Sequence, residues 1–476
     1  MSKVKANKLV KTRFAPSPTG MLHIGGARTA LFSKLYARHM GGEFLVRIED
    51  TDQNRNSEEA VKAITEGMDW LGLSPDSEYI YQSNQLEEHK KAVQKLLDNG
   101  NAYECYYSTK ALDKLRTQAQ KDKEKFTFRE SKYPSTEEIK AEAIAEERKP
   151  VIRLKSHEDG FTIWKDAVQG TIKYPNKELD DLIIARGDGT PTYNLAVTVD
   201  DANMGITHVI RGDDHINNTP KQIQIYEALG LEIPTFAHIP LIHGDDGKKL
   251  SKRHGAVSTL NFKEQGYLPE AVCNYLLRLG WSHGDDEVIN NQEAEKLFDI
   301  CNINKGASTF NTKKLDWLNG QYLKNTQSSD LILLLKPFLE KTGVEVTEQG
   351  MDWIEKSLPE LSQRAKRLTD LAESAVFYLK QVPLVMDKKA TEALKADGAK
   401  YLKEATSLFE KEDNWNQDTL HDYIHHYCED NGYKFGQVAQ PLRAALTGTT
   451  VSPSVFHIME VLGKDESMKR LQSAIQ

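Results

Sequence analysis

The sequence predicts an α/β protein in three parts: a parallel sheet wound by helices, an α+β segment inserted into it, and an all-α C-terminal domain. Three observations carry this expectation. A strand-like run, a glycine turn and a helix are followed by a second strand and helix within the first 72 residues. The pattern then breaks down between about Tyr103 and Pro150, and beyond Leu268 the apolar spacing is helical nearly everywhere. At 476 residues the chain is too long for one core, and at about 100–200 residues per domain it holds two to four.

In order, Leu9 to Phe14 reads as a strand, and Ala27, Leu31 and Leu35 continue at helical spacing beyond Gly25 and Gly26. The turn between them therefore opens a helix. Such a turn offers backbone N–H groups and the positive end of the helix dipole to an anion, glycine allows close approach, and His23 stands beside it as a side-chain donor. Gly41-Gly42 is a stop signal, and Glu43 to Glu49 alternates Phe44, Val46 and Ile48 as a strand does. Ser57 caps a helix through Val61, Ile64, Met68 and Leu71, and another runs from about Gln85 to Asn99. After the charged stretch come short strands at Val151 to Leu154, Phe161 to Trp164 and Thr171 to Tyr174. Asp181 to Ala185, Leu195 to Val199, Thr207 to Arg211 and Phe236 to Ile242 are strand-like as well. Between the last two, Thr219-Pro220 starts a helix as cap and N1 proline, and Gly230 ends it. Leu331 to Leu339, Ile354 to Leu371 and Leu420 to Cys428 are helical. The expected boundaries are 1–104 with 190–265 for the sheet domain, 105–189 for the insertion, 266–327 for a helical region and 328–476 for the all-α domain.

Composition narrows the class. Hydrophobic residues make up 39% and charged residues 28%, and no segment approaches the roughly 18 uninterrupted apolar residues of a membrane span. The N-terminal stretch carries Lys3, Lys5, Lys8 and Lys11 without the apolar core of a secretion signal, so a soluble cytoplasmic protein with a short solvated extension is expected. Cys105, Cys273, Cys301 and Cys428 are scattered, with no pair at metal-ligand spacing, and read as buried inert thiols in a reducing compartment. Net charge is −8, so nucleic acid would have to be met by local basic patches.

A second chemical signal follows the last strand-like run. Lys248-Lys249-Leu250-Ser251-Lys252-Arg253 is a basic loop between glycines. Alone it is an exposed basic turn. Paired with the glycine turn at His23, it makes sense on one triphosphate, which points to an ATP-dependent adenylating enzyme. These two motifs resemble those of class I aminoacyl-tRNA synthetases, and their variants resemble the bacterial glutamyl enzymes most. Val46 to Asp52, Pro191 to Asn194, Val209 to His215 and Gly436 to Arg443 agree, so the similarity spans almost the whole chain.

The resemblance implies a Rossmann-type catalytic domain, an acceptor-binding insertion, a stem-contact region and an anticodon-binding C-terminal domain. A substrate carboxylate would attack the α-phosphorus of ATP, held with Mg²⁺, and pyrophosphate would leave without a protein nucleophile. His23, Lys249 and Lys252 would be catalytic, and Gly25, Gly26, Ser251 and Lys252 would bind ATP. Arg13, Tyr193 and Arg211 would face the glutamate side-chain carboxylate, while Ser17 and Glu49 would hold its amino group. Arg364 would read the last anticodon base of tRNA(Glu), and the protein would act as a monomer. Many bacterial relatives begin a zinc knuckle with Cys-x-Cys, where this chain has Cys105-Tyr106-Tyr107, so no structural zinc is expected. Three rivals remain: a shorter paralogue that glutamylates a tRNA base, a tRNA-free nucleotidyltransferase on the same fold, and a catalytically silent RNA-binding protein.

Overall fold

A computed structural model describes residues 8–51, 57–248, 250 and 258–475. The chain divides into two compact units, Met1–Asn261 with Cys273–Asn311, and Phe262–Val272 with Thr312–Gln476. The first 311 residues run β1 (Lys11–Phe14), α1 (Ile24–His39), β2 (Glu43–Ile48), α2 (Glu58–Trp70), β3 (Ile80–Tyr81), α3 (Leu86–Asp98) and β4 (Ala102–Cys105). Next come α4 (Thr109–Lys121), α5 (Glu137–Ala145), β5 (Val151–Leu154), β6 (Phe161–Asp166), β7 (Gly170–Pro175) and β8 (Ile183–Ala185). Then follow α6 (Tyr193–Asn203), β9 (His208–Gly212), α7 (Thr219–Leu229), β10 (Thr235–Ile239), β11 (Ile242–His243), α8 (Thr259–Glu264), α9 (Pro269–Arg278), α10 (Asn291–Leu297) and β12 (Ser308–Thr309).

The central sheet is a Rossmann-type sheet of five strands in the order β10-β9-β1-β2-β3, and every pairing is parallel. Chain order reverses between β1 and β9, and open sheets of this kind bind ligands in the crevice beyond the strand ends at that point. Both faces are covered: Thr12, Arg13 and Phe14 on β1 and Phe44 to Ile48 on β2 are all buried, as parallel strands require. α1 lies against β1, β2 and β9, burying Ala27, Ala30, Leu31, Phe32 and Leu35.

Between β4 and β8 the insertion builds antiparallel pairings, β4-β5-β8 and the hairpin β6-β7. Tyr103, Cys105 and Phe128 form its small core, with Tyr107, Phe126 and Tyr133 packed around them. The Phe128 and Tyr133 rings stack at 5.5 Å, and the Arg153 guanidinium lies 4.1 Å over Phe128. Aromatic packing thus makes the core of this part of the insertion.

The second unit is all-α: α11 (Thr312–Asn325), α12 (Ser328–Glu340), α13 (Glu348–Leu361), α14 (Leu368–Ala375), α15 (Lys388–Ala393), α16 (Asp397–Phe409), α17 (Gln417–Asn431), α18 (Phe435–Thr447) and α19 (Val455–Ile475). One apolar core runs through it, with Leu335, Ile354, Leu371, Phe409, Ile424 and Leu442 all at 0% exposure.

Local readings differ from the structure in four places. Leu195 to Val199 is helical, inside α6, because every residue from Asn194 to Asp201 is buried. A helix buried all round has no apolar stripe, and its β-branched run mimics a strand. Ile354 to Leu371 is two helices, and the Asp370 carboxylate accepts from the N–H groups of Lys366 and Arg367 at 3.1 Å to start the second. α7 is capped at Asn218, with Thr219 already helical and its hydroxyl engaged elsewhere. Cys301 is exposed, whereas the other three thiols are buried.

Gly42 shows how tightly the first βαβ unit closes. Its N–H donates to Ala37 at 2.7 Å, and a Cβ added there would lie 2.0 Å from the Val10 carbonyl oxygen. Backbone must move to admit it. Gly42→Ala is expected to lower the stability of the protein by roughly 1–3 kcal/mol, read as a lower urea midpoint; an unchanged midpoint would contradict the close approach.

Candidate active site

Where the chain order reverses between β1 and β9, β1 leads into the start of α1. His23 is its N-cap, in extended backbone (φ −89°, ψ 161°), and its Nδ1 accepts the Gly26 N–H at 3.1 Å. An accepting Nδ1 places the neutral ring's proton on Nε2, so the donor expected of His23 is at that nitrogen. Gly26 is consumed by this cap, while the amides of Ile24 and Gly25 have no carbonyl one turn back. A Cβ at Gly25 would meet the His23 ring at 3.3 Å, and one at Gly26 would press on Leu22 at 3.3 Å and Phe14 at 3.5 Å. Both glycines therefore let α1 sit close to β1.

Beside this helix end lies a buried ionic knot. Arg13, from β1, donates through Nε and Nη2 to the two oxygens of Asp201 at 3.1 and 3.2 Å. Arg47, from β2, donates Nη1 to Asp201 at 2.6 Å and Nη2 to Glu49 at 3.2 Å, with Nε 3.6 Å from Asp200. Asp200 also accepts from Gln82 at 2.7 Å and pairs with His89 at 2.6 Å. Arg47 is 0% exposed, and charges this deep persist only when paired. Burial pushes the Asp201 carboxyl up, but Arg13 and Arg47 outweigh it and hold its pKa below the ordinary value. For Glu49 burial wins, and despite Arg47 and Arg13 its pKa lies above the ordinary value.

Arg211, at the end of β9, is different. It is 6% exposed, and its Nη1 has no hydrogen-bond partner. Its Nε donates to His238 Nε2 at 3.1 Å and its Nη2 to Thr219 Oγ1 at 2.8 Å. Among the described residues no carboxylate pairs with it. Burial pulls its pKa down to about 10, so it remains a cation at neutral pH. Arg28, also buried, has both terminal nitrogens bound to carbonyls, of Leu279 and Pro240, and is a structural tie. Arg211 has a terminal nitrogen left over.

The other expected contacts gather around it. Tyr193 opens α6 and is 40% exposed, yet protein surrounds its hydroxyl; burial, with Glu49 near, pushes its pKa up to about 12 against the pull of Arg211 and Arg13. Tyr193 thus stands within electrostatic reach of all three charged groups. The Glu49 N–H donates to the Pro16 carbonyl at 2.9 Å, which sets exposed Ser17 next to Glu49. The structure therefore brings Arg13, Glu49, Tyr193 and Arg211 within electrostatic reach of one another, with Ser17 beside Glu49 in the chain path. Lys249, Ser251 and Lys252 lie outside the described residues. Ahead of them Gly244 donates to the Lys248 carbonyl at 2.8 Å, closing a tight turn after β11.

In the second unit, Arg364 is exposed and near enough to Arg443 to help lower its pKa, after burial. Arg364 and the end of the Gly436 to Arg443 stretch thus lie near each other. Among the described residues, no group of three His, Cys, Asp or Glu side chains is placed to hold a metal ion.

Sequence reasoning missed Asp200, Asp201, His89, Asp166, Thr219 and His238. One signal was available: two adjacent carboxylates directly after the apolar run Leu195 to Val199 must be paired if that run is buried. Removing one partner of the knot leaves charge uncompensated. Asp201→Ala is expected to destabilise the protein by about 3–5 kcal/mol in denaturant unfolding. Because the Asp201 pKa is depressed, its contribution is present above the unfolded carboxyl value of about 3.9 and is lost as pH falls through the folded value. The difference between parent and variant should therefore shrink below about pH 4; a difference independent of pH would contradict this.

The chain is similar to known proteins over nearly its whole length. The family model for tRNA synthetases class I (E and Q), catalytic domain, matches residues 9–317, and an anticodon binding domain matches residues 330–475. A glutamate–tRNA ligase of Halorhodospira halophila is 46% identical over 472 residues, covering 98% of each chain. Another, of Rhodospirillum rubrum, is 48% identical over 469 residues, covering 98% of this chain and 99% of that one. The crystal structure of a glutamate tRNA ligase from Elizabethkingia meningosepticum, in complex with its amino acid, matches with a TM-score of 0.86 at 32% identity, over 98% of this chain and 99% of that chain. A parallel sheet whose chain order reverses between β1 and β9, an all-α second unit and near-full-length identity of this order place the chain in the glutamate–tRNA ligase family of class I tRNA synthetases.

Proposed function

We propose that the protein is a glutamate–tRNA ligase, which activates L-glutamate with ATP to glutamyl-adenylate and transfers it to the 3′-terminal adenosine of tRNA(Glu), at the 2′-hydroxyl. One observation carries the substrate: Arg211 is a buried guanidinium with an unpartnered terminal nitrogen, and among the described residues no carboxylate pairs with it. A carboxylate ligand completes it, in the charge-assisted geometry that arginine provides.

Arg13 and Tyr193 flank the same carboxylate, and Glu49, with Ser17, takes the ammonium group. The α-carboxylate then attacks the α-phosphorus of an ATP whose phosphates lie on the start of α1. His23 Nε2–H and the first-turn amides stabilise charge on one side, and Lys249 and Lys252 neutralise the departing pyrophosphate on the other. The triphosphate arrives as its Mg²⁺ complex. Arg364 reads the last anticodon base, and the protein works as a monomer in the cytoplasm. An anticodon binding domain at residues 330–475 argues against the shorter tRNA-modifying paralogue.

Charging purified tRNA(Glu) and tRNA(Gln) in turn with labelled amino acids tests this reading. Glutamate should be esterified to tRNA(Glu), and glutamine to neither; absence of charging, or equal use of glutamine, would overturn it. The amino-group contact has its own test. The ammonium group is attracted only to ionised Glu49, whose pKa lies above the usual value of about 4.3. The KM for glutamate should therefore rise as pH falls through that raised value. Glu49→Gln should raise KM about 10–100-fold, the worth of a charge-assisted contact of about 1.5–3 kcal/mol, and abolish this acid limb. An acid limb that persists in Glu49→Gln would remove Glu49 from the contact.

A further inference from the structure

We propose that Asp166 and His238 are positioning residues for amino-acid recognition: together with Thr219 they grip Arg211 by its Nε–Nη2 edge, so that the guanidinium meets the substrate carboxylate end-on, with Nη1 leading. The inference rests on the glutamate pocket proposed above and adds residues from outside it.

The chain of contacts begins in the insertion. Asp166 is the last residue of β6, 2% exposed, and one of its oxygens accepts the backbone N–H groups of Val168 at 3.1 Å, Gln169 at 3.0 Å and His238 at 3.1 Å. Its other oxygen contacts Nδ1 of His238, which is 0% exposed. Gln169 returns a hydrogen bond from its amide to the His238 carbonyl at 3.0 Å, so the histidine is fixed at backbone and ring. An ionised carboxylate only accepts, so Nδ1 carries the proton and Nε2 presents its lone pair.

That lone pair faces Arg211. Parallel pairing of β9 and β10 sets His238 directly opposite Arg211, and Nε2 receives the Arg211 Nε–H at 3.1 Å. Thr219 Oγ1 accepts from Nη2 at 2.8 Å and lies 3.1 Å from the same Nε2, which orients its own proton toward the ring. Below the guanidinium lies the Phe236 ring, 5.3 Å from Cζ and nearly parallel to the His238 ring. Two edge contacts and one face contact remove the rotational freedom of a long side chain.

Of the five guanidinium N–H bonds, Nε–H and one on Nη2 are used. The remaining end edge offers donors only. A carboxylate matches it with two acceptors; an amide turns one donor against it. Discrimination between the two requires that the arginine cannot retreat, because a mobile guanidinium would swing away from the amide and tolerate it. Burial and Arg211 lower the pKa of His238 in spite of Asp166, in keeping with a neutral acceptor.

The test uses the full-length protein in tRNA-dependent ATP–pyrophosphate exchange. Asparagine at position 238 keeps a donor on the Asp166 side and loses the acceptor on the Arg211 side, whereas glutamine places an amide oxygen where Nε2 stood. His238→Asn should raise the KM for glutamate at least tenfold and narrow the preference for glutamate over glutamine, with kcat and the KM for ATP changed less than twofold. His238→Gln should restore the KM to within threefold of the parent. Thr219→Val, which removes the other anchor, should raise it severalfold, and this variant decides the matter should His238→Asn fail to fold. Equal impairment by Asn and Gln, a parent-like KM in His238→Asn, or a uniform loss in kcat and every KM would each overturn the positioning role. Arg211→Ala separates the two levels: a raised KM there with none in His238→Asn sinks only this proposal, whereas an unchanged KM in Arg211→Ala sinks the pocket itself.

Discussion

A carboxylate buried between two arginines is the constraint on which the rest of the site depends. Asp201 accepts from Arg13 on β1 and from Arg47 on β2, while its own backbone belongs to α6, so one side chain ties two sheet strands to the helix that carries Tyr193. No member of this group can be solvated, and none can leave without stranding a charge. The geometry is therefore settled before any ligand arrives. Arg47 holds Glu49 in turn, and its other partner Asp200 is anchored by His89 and Gln82. Arg13 and Glu49, the contacts proposed for the substrate, are thus held by charges with no proposed substrate role.

Against this saturated knot, Arg211 stands out by what it lacks. Its hydrogen-bond partners are a histidine and a threonine, with an aromatic ring against one face, so among the described residues no carboxylate is paired with its charge. His23 is likewise tied to structure, capping its own helix by accepting the Gly26 N–H at Nδ1. Catalysis by such a site is a matter of preorganised donors facing places where negative charge develops. No protein nucleophile is required.

The motifs and the order of layers were legible in the sequence, because they rest on local patterns. Strand, turn and helix at Leu9 to Leu35, the cap at Ser57 and the stop at Gly230 depend on residues within a few positions of one another, and they stand as read within one or two residues. The supporting contacts were not legible, since Thr219 and His238 meet Arg211, and Asp166 meets His238, across separations that no local period encodes. Leu195 to Val199 failed for a related reason: full burial erased the amphipathic signal that would have marked α6 as a helix. Arg47 and Glu49 pair as their spacing allowed, but their tie to Asp201 came only with the fold.

A crystal structure with L-glutamate and a non-hydrolysable ATP analogue bound bears most directly on the central claim. The side-chain carboxylate should lie within about 2.7–3.2 Å of Arg211 Nη1, the ammonium group against Glu49, and the Arg13–Asp201–Arg47 knot should be unchanged. Glutamate bound elsewhere, with Nη1 of Arg211 still unpartnered, would contradict the account.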